Sequence, residues 1–305
     1  MTRIVSQRPV SPTRRSLLVT AILAPLLRYV PARAANPDAT LATIHDALAA
    51  LERTSGGRLG VAVTDTATNA RAGYRSDERF AFCSTFKVVL SSAVLKRNET
   101  EPGLLDRHID YTKAEMVSYS PITEKHLGEG MTVAALCAAA LQYSDNSAAN
   151  ALLRLIGGPE AVTAFAHSVG DTTFRLDRTE TTLNTAIPGD PRDTSTPAAM
   201  AALLQKFALG DVLAPDSRRQ LVEWMRGNTT GGKRIRAGVP STWEVADKTG
   251  TGDYGTTNDL GLAWPPERPP LVIATYYTQP EKGTDAPARD DVLASAARIV
   301  SHAFG

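Results

Sequence analysis

The sequence predicts an α/β (α+β) protein in which both ends of the chain contribute to one sheet and an all-α insertion lies between them. Strand-like runs occur at 59–74 and return at 243–277, while residues 104–225 carry mostly helical spacing. A helical pattern precedes the first strands and another follows the last. On this reading the sheet part takes about 35–80 and 226–305, and the helical part about 81–225.

The elements follow in order. From Asp38 to Leu51 the apolar residues Leu41, Ile44, Leu48 and Leu51 recur at helical spacing, and Gly56-Gly57 ends the helix. Leu59-Gly60-Val61-Ala62-Val63 and the residues near Tyr74 are two strands joined by a turn at Thr68-Asn69. Ser84 to Lys96 is a helix. Ala-rich helices are expected at 131–142, 146–156, 160–168 and 197–209. Between the last two lies Leu176 to Pro197, rich in Thr, Pro, Asp and Gly; a loop of that length is usually functional or disordered. Strands are expected at Trp243–Lys248, Thr256–Ala263 and Leu271–Tyr277, the last two separated by a turn at Pro265–Pro270. Asp290 to Ala303 closes the chain as an amphipathic helix.

Residues 1–34 are expected to be an export signal and not part of the fold. Arg14-Arg15 precedes a modest apolar run, Leu17 to Leu27, and Ala32-Arg33-Ala34 has the form of a cleavage site. Paired arginines point to the twin-arginine route. No Cys lies near the cleavage site, so no lipid anchor is expected, and the apolar run is too short to span a bilayer. A secreted or extracytoplasmic domain of residues 35–305 results, with no stable membrane insertion after cleavage.

Composition excludes several classes. At 43% hydrophobic and 21% charged, the chain can bury a sizeable core. Two Cys in 305 residues cannot staple a miniprotein. The net charge of +1 conceals six Arg and no acid within residues 1–34, so the remainder is mildly acidic. An acidic body argues against nucleic-acid binding, which needs a basic face. The five His are scattered, with no His-Glu-x-x-His, so neither a metal nor any other cofactor is expected. There is no Gly-x-Ser-x-Gly elbow and no phosphate-binding Gly-rich loop after a strand. An enzyme built this way takes Lys, Glu or Asp as its base.

Four short motifs carry candidate chemistry. Ser84-Thr85-Phe86-Lys87 opens a helix, with Ser84 and Lys87 on one face. Unpaired N–H groups at the helix start could hold an oxyanion, and a desolvated Lys87 could take the Ser84 proton. Ser144-Asp145-Asn146 precedes a helix and would by itself be an ordinary N-cap. Glu180 and Asn184, four residues apart in the long loop, could hold a water between them, with Arg178 and Asp193 pairing at the loop's neck. Lys248-Thr249-Gly250 ends a strand; the Lys could bind a carboxylate while Gly250 lets substrate backbone approach.

Together and in this order the four motifs resemble those of the class A serine β-lactamases. The resemblance covers essentially all of residues 38–305. The stretches Phe80 to Lys87, Asn228-Thr229-Thr230-Gly231 and Asp247 to Gly255 look most like the family's actinobacterial branch. It implies a β-lactamase/transpeptidase-like fold with an antiparallel five-stranded sheet flanked by helices. The implied reaction is hydrolysis of penicillins and cephalosporins through a Ser84 acyl-enzyme that Glu180-activated water releases, conferring β-lactam resistance. Lys87 becomes the proton-handling neighbour of Ser84, with the acylation base left between Lys87 and Glu180. Ser144 relays a proton to the lactam nitrogen, and Asn146 binds the acylamide side chain. Asn184 holds the deacylating water with Glu180. Lys248, Thr249 and Thr251 bind the β-lactam carboxylate, and the N–H groups of Ser84 and Thr251 form the oxyanion hole. Tyr119 matches the aromatic at the cleft mouth. A monomer acting on small molecules is expected.

Three departures bear on these roles. Many members carry an Arg after Lys-Thr-Gly, where this chain has Thr257, and Arg234 takes the alternative upstream position. Cys137 matches a disulfide position whose partner here is Ser91, and the matching partner of Cys83 is Gly252. Both thiols are therefore expected free. A cell-wall D-Ala-D-Ala peptidase and a β-lactam-sensing receptor domain share some of these motifs, but each would lack the Glu180–Asn184 element.

Overall fold

A computed structural model describes residues 1–3, 5–6 and 37–304. The expected export segment lies almost wholly outside the described residues. The rest of the chain, from Asn36, is one compact unit.

Along that unit run α1 (Pro37–Ser55), β1 (Arg58–Asp65), β2 (Arg71–Tyr74), β3 (Phe80–Ala81), α2 (Phe86–Thr100), β4 (His108–Ile109), β5 (Met131–Thr132) and α3 (Val133–Gln142). Next come α4 (Asn146–Ile156), α5 (Pro159–Ser168), β6 (Thr194–Ser195), α6 (Pro197–Ala208), α7 (Pro215–Arg226) and α8 (Ile235–Gly238). The chain closes with β7 (Glu244–Gly252), β8 (Thr256–Trp264), β9 (Leu271–Thr278) and α9 (Asp290–Phe304). Among the described residues the main sheet has five strands in the order β2-β1-β9-β8-β7, every neighbouring pair antiparallel. The first strand therefore pairs directly with the last, as a sheet drawn from both ends requires.

The central strands β1 and β9 are covered on both faces and are buried almost throughout, while β7 and β8 carry polar residues toward their cleft ends. Along β9 the side chains of Leu271, Ile273 and Tyr277 enter one cluster and those of Val272, Ala274 and Tyr276 another. The first cluster lies under α1 and α9, which supply Ile44, Leu48, Val292, Leu293 and Val300. The second joins the sheet to the helical layer, through Phe82, Phe86, Leu136, Leu152, Leu204 and Phe207. Each of these large side chains stabilises the fold by about 1.5–3 kcal/mol through burial.

Helix α2 is the axis of the helical layer. Every residue from Phe86 to Leu95 is buried, which is why its sequence shows no amphipathic stripe. Its burial on all sides fixes the orientation of Lys87. The structure differs from expectation at 104–132. That stretch holds only short 3₁₀ turns and the β4–β5 pair, and the positive φ of Tyr119, Gly128 and Gly130 interrupts any helical run. The segment 176–193 is a loop with one 3₁₀ turn, Thr182–Thr185.

Candidate active site

Ser84 does not cap α2. It sits in a 3₁₀ turn, Cys83–Thr85, that feeds the helix, and Cys83 holds a φ of 47°. Tyr119 and Ser144 also take positive φ, 59° and 57°. A non-glycine residue in this region costs about 1–3 kcal/mol and persists where surrounding structure imposes it. The imposing contacts are visible at Ser144. Asp145 next to it caps α4 by accepting from Ala148 N at 2.8 Å, and its carboxylate also takes Ile122 N and Thr123 N, each at 2.9 Å. This carboxylate therefore ties the Tyr119 loop to the start of α4.

Ser84, Lys87, Ser144 and Glu180 converge. Ser84 Oγ donates to Glu180 Oε1 at 3.2 Å, and Lys87 Nζ meets the same oxygen at 3.0 Å. Lys87 Nζ also donates to Ser144 O at 2.8 Å and Asn146 Oδ1 at 2.7 Å. Its three protons thus have three acceptors. The side chains of Lys87 and Glu180 are fully buried. Burial pushes the Lys87 ammonium below the ordinary lysine range, against the opposing pull of Glu180.

The long loop is held at two points. Arg178 Nε meets Asp193 Oδ2 at 2.5 Å, closing the neck as expected. Asn150, unnoticed in the sequence, brackets Glu180: its Oδ1 accepts from Glu180 N at 3.0 Å and its Nδ2 donates to Glu180 O at 2.9 Å. Its signal was there, since Asn150 lies one turn after Asn146 on the same face of α4. Asn184 Nδ2 donates directly to Glu180 Oε2 at 2.6 Å, while its buried Oδ1 has no donor among the described residues.

Strand β7 supplies the other wall. Lys248 Nζ donates to Ser144 Oγ at 3.0 Å and Thr249 O at 2.7 Å. Burial, then the nearby Lys87 and Arg234 charges, drive its ammonium well below the usual lysine range. Thr249 Oγ1 pairs with Thr230 Oγ1 at 2.5 Å. Arg234 is buried and its donors are directed: Nε to Asp290 Oδ1 at 2.7 Å, Nη1 to Gly250 O and Asn258 O, and Nη2 to Thr251 Oγ1 at 2.8 Å. One Nη2 proton is left for an anion.

The bare Gly250 lines the cleft and has a second role. A Cβ there would lie 2.7 Å from Phe82 O and 3.2 Å from Ser84 N, so the glycine also admits the backbone that carries Ser84. Both thiols are free and buried, as expected. Cys83 Sγ occupies the space a side chain at Gly252 would need, and Cys137 faces Ser91.

These residues enclose a cleft of about 400 Å³, lined by Ser84, Tyr119, Ser144, Asn146, Asn184, Thr230, Arg234, Thr249, Gly250 and Thr251. Tyr119 is 60% exposed at its mouth. A cavity of about 500 Å³ lies under residues 186–192 and contains none of the expected site residues.

The family model described as "Beta-lactamase enzyme family" matches residues 43–304. The chain belongs to the class A β-lactamases. It is 56% identical over 287 residues to beta-lactamase OXY-2 of Klebsiella oxytoca, covering 94% of this chain and 97% of that one. With beta-lactamase Toho-1 of Escherichia coli it shares 55% identity over 291 residues, 95% of this chain and 98% of the relative. Among solved structures, the beta-lactamase from Desulfarculus baarsii superposes with a TM-score of 0.85 at 52% identity, covering 87% of this chain and 98% of that one. The last common ancestor of Gram-negative bacteria class A beta-lactamase gives 0.83 at 58% identity, covering 86% and 100%. These class A neighbours share the five-stranded fold described above. Among the described residues no helix is long and apolar enough to cross a membrane, and no cluster of His, Cys, Asp and Glu could hold a metal ion.

Proposed function

We propose that this class A β-lactamase opens the β-lactam amide of penicillins and cephalosporins through an acyl-enzyme on Ser84, and so confers resistance. The observation that carries the reading is the shared acceptor: Ser84 Oγ and Lys87 Nζ both meet Glu180 Oε1 on the buried floor of the cleft.

The acylation step follows from who donates to whom. Ser84 Oγ gives its proton to Glu180 Oε1 as the oxygen bonds to the lactam carbonyl carbon. With Lys87 as an ammonium donating to Ser144 O, Asn146 Oδ1 and Glu180, the carboxylate is the acceptor for this proton. The N–H groups of Ser84 and Thr251 take the developing oxyanion, each worth about 3–4 kcal/mol. The C–N bond then breaks, and Ser144 Oγ, held by Lys248, hands its proton to the lactam nitrogen; Lys87 Nζ, 3.5 Å away, reprotonates Ser144 and takes the Glu180 proton in turn, so that Glu180 is again a carboxylate. Thr249, Thr251, Lys248 and the spare Nη2 proton of Arg234 hold the substrate carboxylate. Asn146 Nδ2 donates once to Ser118 O and offers its second proton to the acylamide carbonyl. Tyr119 covers the mouth.

For release, Glu180 takes a proton from a water held with Asn184. The resulting hydroxide attacks the ester carbonyl, and Ser84 Oγ leaves with the proton that Glu180 took from the water. General-base help of this kind is worth about 10²–10⁴-fold. The decisive experiment is turnover of a chromogenic cephalosporin with intact-mass detection. Many turnovers with a transient adduct on Ser84 support the reading; a single burst points to a receptor domain, and an unimpaired Ser84→Ala variant overturns it.

Export by the twin-arginine route and a monomeric state complete the proposal. Cleavage after residue 34 in secreted protein, and a monomer mass by light scattering, are the expected results. The actinobacterial placement rests on the residues flanking the motifs, whereas the two relatives from Klebsiella oxytoca and Escherichia coli are enterobacterial. A family tree that groups this chain with actinobacterial members is expected, and any other grouping overturns the placement.

A further inference from the structure

Beside the cleft lies a buried acid pair that the reaction does not use. Asp247 precedes Lys248 on β7, and Asp259 lies on β8. In the ladder Asp247 pairs with Gly261 and Thr249 with Asp259, so the two acids are diagonal neighbours on one face. Both are fully buried, and their carboxyl groups are in hydrogen-bonding contact.

The proton's place can be read from the donors. Asp247 Oδ1 accepts from Arg236 Nε at 2.8 Å, and Asp247 Oδ2 from Asn228 Nδ2 at 2.9 Å. Asn228 cannot be turned round, because its Oδ1 accepts from Thr230 N at 2.9 Å and Thr230 Oγ1 at 2.8 Å. Both oxygens of Asp247 therefore act as acceptors, which is the ionised form. Asp259 Oδ2 accepts from Ile235 N at 3.0 Å, and Asp259 Oδ1 is buried with no donor among the described residues. Two ionised carboxylates in contact inside the protein are untenable, so one holds a proton, and only Asp259 Oδ1 is free to carry it. The cations facing the pair are Arg236 from α8, Arg234 before it and Lys248 on β7. Burial and the Asp247 charge both push Asp259 well above the ordinary carboxylate range.

The partners of the pair all lie in one segment. Asn228, Ile235 and Arg236 belong to the stretch that carries Thr230 and Arg234 into the cleft. Gly231 lets that stretch lie against the acids, since a Cβ there would fall on Asp247 Oδ2. We propose that Asp259 is a neutral acid that donates to ionised Asp247, and that this pair positions the 228–236 segment and with it the carboxylate subsite. The positioning half rests on the β-lactamase reading given above; the location of the proton does not.

The test has two arms. In the first, infrared difference spectra at neutral pH between parent and Asp259→Asn are expected to show a protonated-carboxyl stretch present only in the parent. Its absence overturns the proposal whatever the enzyme acts on. In the second, steady-state kinetics with a penicillin compare Asp259→Asn and Asp259→Ala. The amide can still donate to Asp247 and accept from Ile235, so Asp259→Asn is expected to keep KM within about twofold of the parent, while Asp259→Ala raises KM about tenfold, the size of one lost buried hydrogen bond, with kcat little changed. Equal damage in both variants, or a loss confined to kcat, overturns the positioning role. If Asp259→Ala does not fold, the Asn variant alone decides: a tenfold rise in its KM refutes the rescue.

Discussion

Ser84 Oγ donates to Glu180 Oε1 at 3.2 Å across 96 residues of sequence, so the serine hydroxyl is already directed at the loop carboxylate before any substrate arrives. Asn150 holds that carboxylate's backbone from both sides. Glu180→Gln keeps the shape and removes the acceptor charge. It is expected to lower kcat about 10²–10⁴-fold and to let the acyl-enzyme accumulate. Intact-mass spectra after mixing with a penicillin check this; parental turnover would refute the role.

Arg234 has four of its five protons committed to protein acceptors and one remaining at the cleft. Arg234→Ala is expected to raise KM for carboxylate-bearing β-lactams about ten- to hundredfold, the loss of a hydrogen bond to a charged group. The kcat should fall less, because the guanidinium touches neither Ser84 nor Glu180. A matched pair of β-lactams with free and esterified carboxylates separates the effect: the ester should be indifferent to the substitution.

Asp193 is a fully buried carboxylate whose charged partner is Arg178. Arg178→Ala leaves that charge short of compensation and is expected to cost about 3 kcal/mol of stability. Urea unfolding measures the cost, and proteolysis within residues 176–193 should speed up. The substitution should slow deacylation more than acylation, because it loosens the loop bearing Glu180.

The same loop gives an acid limb. Hydrogen bonds from Arg192 hold Asp190 down at about 2, and Arg175 lowers Asp177. Carboxyls lowered by folding add stability that is complete above the unfolded value near 4 and is lost as pH falls toward 2. Both pairs are partly solvated, so the loss is small. Thermal melts between pH 5 and pH 2, run on the parent and Arg192→Ala, should diverge only above the acid end (pH values chosen to span about the unfolded and folded carboxyl ranges).

The thiols give a test of the packing. Burial raises both, Cys137 to about 12 and Cys83 further, with the Glu180 charge adding to Cys83. A thiol reagent should find none in the native protein and both after denaturation. Reaction in the native state would mean the contacts behind Ser84 open readily.

The residues that converge on the cleft were legible because each motif carries its chemistry in neighbouring positions: Ser84 with Lys87, Ser144 with Asn146, Glu180 with Asn184. Helix and strand periods placed the sheet and the helical layer. What stayed hidden acts across distance or through backbone. Asn150 grips the main chain of a residue 30 positions away. Asp145 pins a loop some 22 positions upstream. Asp247 and Asp259 meet only because two strands pair in a particular register. Gly250 gives a related case. A bare position shows that something approaches, but not what, and here Phe82 and Ser84 crowd it beside the cleft that it lines.

The pairing of β1 with β9 sets the timetable of biogenesis. Residues near the start of the chain cannot find their sheet neighbour until those near 278 have been synthesised, so the nucleophile is made long before it can be held in place. A ribosome that stops early releases a polypeptide whose sheet has no middle. Maturation of this enzyme is thus an event of the finished chain, and truncation near the carboxyl end should abolish activity as fully as loss of Ser84.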